Sequence, residues 1–194
     1  MGATMNVIFV KSDLSTLKNN FSSLLNYFLN NSIGFSSLHI SNDEEGFNGI
    51  DYNNPNQTFL ENIMDKSPDF YYLKLSFNNF PFGNLFIDGL LKIEKHENSY
   101  YSFGFEFEEV DILSNYDVDS LESVEKNIIN TIEKIGENIN WDYAFANQEA
   151  EVQFSPEQFE KETNTQYAIE ITNSESGLKI SKSTWYVNGI TERA

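Results

Sequence analysis

The first and third of three successive runs between Asp69 and Leu113 place apolar side chains at every second residue, and that period commits this part of the chain to β-sheet. In the first run Tyr71, Leu73, Leu75 and Phe77 alternate with Tyr72, Lys74 and Ser76. The second, Leu85 to Lys95, continues as strand, with Gly89 as a candidate bulge. In the third, Tyr101, Phe103, Phe105 and Phe107 alternate with Ser102, Gly104, Glu106 and Glu108. Asn78-Asn79 with Pro81, and Glu97-Asn98, supply turn formers between the runs. Short links of this kind join antiparallel neighbours, so a three-strand meander is expected.

Other elements are read on either side of this block. Val7 to Val10 is a short β-branched and aromatic run, followed by Ser12 or Asp13 as a helix cap. Leu14, Leu17, Phe21, Leu24, Leu25 and Phe28 recur at steps of three and four and predict an amphipathic helix ending near Asn30-Asn31. Phe35 to Ser41 reads as strand, Asn42 to Asn56 as loop, and Gln57 to Lys66 as a short helix stopped by Ser67-Pro68. A second long helix is predicted over Asp119 to Asn140, with Asp119 and Glu122 resembling a capping box and Asp117 a further candidate cap. Trp141 to Ala146 reads as strand, Ser155-Pro156-Glu157 opens a short helix, and Tyr167 to Ile171 and Lys179 to Val187 read as a final pair of strands. No repeat or long linker divides the 194 residues. The expected fold is one α+β domain over residues 1–194, with a mainly antiparallel sheet, a central β-meander and two main amphipathic helices packed on one face.

Charge narrows the possible partners. Twelve basic residues face thirty acidic ones, a formal net charge of -18, and Arg193 is the only arginine. Nucleic acid and anionic membranes would repel such a chain, whereas a basic protein would be attracted and steered to it. The chain has no cysteine, which removes disulfides, thiolate chemistry and cysteine-based metal sites. Met1 to Asn6 carries neither a basic n-region nor an apolar h-region, and no apolar run is long enough to span a bilayer, so a cytoplasmic location is expected.

Catalytic signatures are scarce. The two histidines, His39 and His96, belong to no metal or acid–base motif and read as ordinary surface residues. Carboxylates are the one abundant reactive group, and Glu106, Glu108, Glu109 and Asp111 lie in a single run, F-E-F-E-E-V-D. On a strand Glu106 and Glu108 share a face. That run could hold a divalent metal or an acid/base pair, meet a basic partner, or simply face solvent. Asp43-Glu44-Glu45 lacks the spacing of a calcium loop.

An opening Met1-Gly2-Ala3 leads directly into the Val7 to Val10 strand and an amphipathic helix, in a small acidic chain rich in Asn, Ile, Phe, Tyr and Lys over Arg. This combination resembles the immunity proteins of bacterial polymorphic-toxin systems. The resemblance implies a cytoplasmic antidote that binds one cognate toxin domain, often a basic nuclease, with acidic groups standing in for phosphates. It implies no catalysis and no cofactor. The acidic and aromatic stretches expected at the partner surface are Asp43, Glu44, Glu45, Tyr101, Glu106, Glu108, Glu109 and Asp111. Two other readings stay open. A non-enzymatic adaptor or structural domain would spread its acids evenly, and a carboxylate-dependent hydrolase would gather two or more in a concave pocket.

Overall fold

The computed structural model describes residues 3–43, 48–67, 69–96, 99–113, 115, 117–174 and 177–183. Within them nine strands form one sheet: β1 (Thr4–Lys11), β2 (Gly34–Ser41), β3 (Gly49–Asn53), β4 (Tyr72–Phe82), β5 (Leu85–His96), β6 (Tyr100–Glu108), β7 (Tyr143–Gln148), β8 (Ile169–Ser174) and β9 (Gly177–Lys182). Their spatial order is β3-β2-β4-β5-β6-β1-β7-β8-β9. Every neighbouring pair is antiparallel. The meander expected from residue 69 onward is β4-β5-β6, and the first strand of the chain closes on its far side, between β6 and β7.

The two long helices are α1 (Leu17–Asn30) and α5 (Val118–Gly136). Between them come the short helices α2 (Gln57–Glu61), α3 (Ile63–Lys66) and α4 (Glu109–Ile112), and α6 (Pro156–Phe159) follows β7. The stripes of α1 (Phe21, Leu24, Leu25, Phe28) and α5 (Leu121, Val124, Ile128, Ile132, Ile135) are buried in the same core as Val7, Phe9, Leu75, Phe103 and Phe105 from the sheet. Phe28 is a hub there, its ring centroid 5.5 Å from Phe77, 5.6 Å from Phe35 and 6.2 Å from Phe105. Complete burial of each such side chain contributes roughly 1.5–3 kcal/mol.

Among the described residues the opposite sheet face is covered over β1 and β7. There Ile8, Val10, Tyr143, Phe145 and Tyr167 form a second apolar cluster, closed by Val152, Phe154 and Phe159 from the α6 arm. Tyr143 stacks on Phe159 at 3.9 Å and Phe145 on Tyr167 at 3.6 Å. The Tyr143 hydroxyl donates to the Phe154 carbonyl at 2.6 Å, so the arm is bonded as well as packed. From β3 to β6 no described segment packs as a layer on this face.

Several expectations are corrected. The stretch read as loop, Asn42 to Asn56, contains β3, which pairs with β2 through Leu38↔Tyr52 and Ile40↔Ile50. Asn78-Asn79 is not a turn. It is an extra residue inside β4, where the β4–β5 register slips between Phe77 and Phe80 and Asn79 takes φ 61°. The chain turns instead at Gly83, with φ 60°. Gly89 is not the bulge. It lies opposite Phe77, whose ring would meet a Cβ at 2.6 Å. The helix read over Gln57 to Lys66 breaks at Asn62 into α2 and α3. The long helix is capped by Asp117, which accepts from the Ser120 N–H, not by Asp119, and ends at Gly136 instead of Asn140. The reading of strand as far as Val187 extends outside the described residues.

Candidate functional site

The open face is built by the same alternation that buries the core. Because Leu73, Leu75, Leu91, Ile93, Phe103, Phe105 and Phe107 point under the helices, their sequence neighbours must point the other way. The register then sets Asp51, His39, Lys74, Lys92 and Gly104 in one row across β3 to β6, and Tyr72, Glu94 and Ser102 in the next. A third row carries Leu90 opposite Glu106.

The cations on this face are occupied locally. Lys92 pairs with Glu94 at 2.9 Å and lies 5.5 Å from the Tyr72 ring centroid, and Lys74 covers the same ring at 5.0 Å. His39 Nδ1 is 2.8 Å from Asp51, and His96 Nε2 is 2.9 Å from the Ser102 hydroxyl. Both histidines therefore have ordinary structural partners.

Beside β1 the open face deepens into a cleft of about 210 Å³, lined by Asn6, Lys92, Glu94, Glu106, Glu149 and Glu151 among others. Glu106 is half-buried there. Burial pushes its carboxyl above the ordinary value, and the opposing pull of Lys92 and Lys74 does not cancel it. A larger cleft of about 390 Å³ lies between the α6 arm and β7–β9. Its Glu170 already accepts the Tyr167 N–H at 3.0 Å, together with that of Gln166. Among the described residues no group of three or more His, Asp or Glu side chains is placed to hold a metal ion.

The expected surface residues do not come together as one patch. Glu106 and the exposed Glu108 share the open face, opposite Asn6 and Thr4 of β1. Glu109 is the first residue of α4, where the strand has ended. It is buried and accepts from the Gln148 amide at 2.7 Å. It is therefore no surface acid, whereas Asp111 of α4 is exposed. Tyr101 is corrected outright, because it is fully buried beneath α1. Asp43 closes the β2–β3 connection by accepting the Asn48 N–H at 2.7 Å, with β4 and β5 lying between it and the β6 acids. Glu44 and Glu45 lie outside the described residues. What the sequence reading missed is apolar. Phe86 and Val110 are 74% and 73% exposed; Val110 lies within the acidic stretch and Phe86 on the neighbouring strand β5. The signal in the sequence is the unbroken apolar run Leu85-Phe86-Ile87, in which the central residue must face away from its neighbours.

The family described as Immunity protein 64 matches residues 3–193. No curated protein matches the chain. A chain of the crystal structure described as the toxic C-terminal tip of CdiA from Pseudomonas aeruginosa in complex with immune protein is similar in fold. Its TM-score is 0.50 at 19% identity, over 77% of this chain and 88% of that one.

Proposed function

This chain belongs to the Immunity protein 64 family, and from that premise we propose that its cognate toxin is a basic protein domain, a nuclease being the foremost candidate, held by the acidic open face of the sheet. Members of such a family are non-enzymatic: they inhibit by binding a toxin, which leaves no place for the hydrolase alternative. The observation that carries the reading is the pairing of a formal net charge of -18 with an open face whose lysines are already engaged. Glu106, Glu108 and Asp111 are left to draw in a cationic surface. A nuclease presents such a surface to phosphates, and carboxylates can occupy it in their place. No helix among the described residues is long and apolar enough to cross a membrane. We place the protein in the cytoplasm, where it would meet its toxin as a free protein.

Co-purification from the native operon tests this reading. The tagged chain is made together with the product of the gene immediately upstream. A stable 1:1 complex that weakens with salt, with growth arrest when this protein is withdrawn, supports it. No complex and no toxicity overturns it.

A further inference from the structure

At one end of the open face the strand pattern exposes apolar surface that a solitary protein has no use for. Among the described residues the large exposed hydrophobics are Leu29, Ile50, Leu85, Phe86, Val110, Leu178 and Ile180. Three of the seven, including the two most exposed, lie where the β4–β5 hairpin meets α4, which packs against β5. Single exposed apolar residues are ordinary, but a group of them marks a contact surface.

The placement of these residues follows from the register. Ile87 and Leu91 are buried under the helices, so Phe86, Asp88 and Leu90 project from the open side of β5. Leu90 pairs with Glu106, and two residues further along each strand Asp88 and Glu108 reach the same end. There α4 begins, with Val110 and Asp111 both exposed. Phe86, Leu90 and Val110 are thus interleaved with Asp88, Glu106, Glu108 and Asp111, while Lys92 lies beside Glu106 on the cleft side, away from Phe86.

The corner is also held in place before anything binds. At the hairpin turn Gly83 approaches α5 so closely that a Cβ there would meet the Asn127 amide at 2.4 Å. Across the bulge the Asn79 N–H donates to Asp88 at 3.3 Å. An exposed aromatic on a braced hairpin loses little freedom on binding, which favours affinity.

We propose that Phe86, supported by Leu90 and Val110, is the anchor by which this protein docks on its toxin, entering an apolar pocket whose rim carries lysine or arginine for Glu108, Asp111 and Asp88. The proposal rests on the reading above that the partner is a basic toxin domain. Charge decides against a second copy of this chain as occupant, because a symmetric contact would set two acidic rims against each other.

The test is direct binding of the full chain to the toxin domain encoded by the upstream gene, followed by biolayer interferometry. Phe86→Ala should weaken the complex by about 30-fold or more, as removal of a central aromatic hot spot does. Circular dichroism and the melting temperature should stay at wild-type values. Ile50→Ala and Leu178→Ala, at the two sheet edges, should bind as wild type does. Wild-type affinity for Phe86→Ala overturns the anchor and leaves toxin binding standing. A wild-type chain that does not bind the toxin domain overturns the underlying reading and the anchor with it. Self-association of the wild-type chain that Phe86→Ala abolishes, in the absence of toxin, also overturns the proposal.

Discussion

The side-chain amide nitrogen of Asn20 lies 2.6 Å from the hydroxyl oxygen of Tyr101, a hydrogen bond that ties the first turn of α1 to the meander. Asn20 also donates to the Asn140 carbonyl at 2.8 Å and accepts the Asn140 N–H at 3.0 Å, so one buried amide joins α1, β6 and the link into β7. Thr16 meets the same tyrosine hydroxyl at 2.9 Å. Burial raises the phenol above its ordinary value, and it stays neutral.

Asn20→Ala is expected to cost about 2 kcal/mol, since it strands the polar groups it now satisfies. Tyr101→Phe should cost about 1 kcal/mol, because Asn20 keeps its bonds to Asn140. Urea unfolding would show lower midpoints at an unchanged m-value. Neither substitution should alter affinity for the toxin once the protein is folded. A large affinity loss for Tyr101→Phe would return this residue to the interface.

The two aspartates at the start of α5 should behave differently. Asp117 accepts the Ser120 N–H at 2.8 Å, and its hydrogen bonds, that one foremost, hold its carboxyl below the usual value. Asp117→Ala should lower the melting temperature by roughly 2–4 °C, as loss of a helix cap does in a domain of this size. Asp119→Ala should leave the melting temperature within error.

Glu106 gives a pH signature with a definite sign. Its folded carboxyl is raised by burial, so the protonated form is favoured in the native state. That stabilisation is present below the unfolded value of 4.5 and is lost as pH rises through the folded value. Glu106→Gln should therefore melt higher than wild type at pH 7, with the difference closing towards pH 4 and below. In toxin binding the same variant should be weaker at pH 7. Gain of stability with loss of affinity is the mark of a residue kept for contact. Equal affinity of the two proteins would remove Glu106 from the surface.

Charge reversal at Glu108 and Asp111 tests steering. Both are exposed and belong to the corner around Phe86. The double variant Glu108→Lys, Asp111→Lys should slow association with the toxin about tenfold or more at low salt and flatten its dependence on ionic strength. Dissociation should change much less, which stopped-flow or interferometry at several salt concentrations would resolve.

Much of the architecture is written in local periods. Alternation over Tyr71–Phe77 and Tyr101–Phe107 identified the meander, and steps of three and four identified α1 and α5, because each pattern follows from the geometry of a single element. The Ser155-Pro156 helix start was readable for the same reason, and its capping box with Gln158 is formed. Alternation also told that Tyr101 and Glu106 point to opposite sides of β6. It does not say which side the helices cover, and that side is where Tyr101 lies.

The rest was decided by contacts distant in sequence. β1 lies between β6 and β7, an order that no local pattern encodes. Turn-forming residues disguised β3, which is held by its partner β2 rather than by its own propensity. Asn78-Asn79 has the composition of a turn, yet the long β4–β5 ladder absorbs it as a bulge and carries the chain on to Gly83. Phe86 has the composition of a core residue and stands in solvent, because it points to the side of the sheet that neither α1 nor α5 covers. Sequence determined which residues share a face, since that depends on bonds along one strand. Tertiary structure alone decided which face is buried, since that depends on where remote helices come to rest.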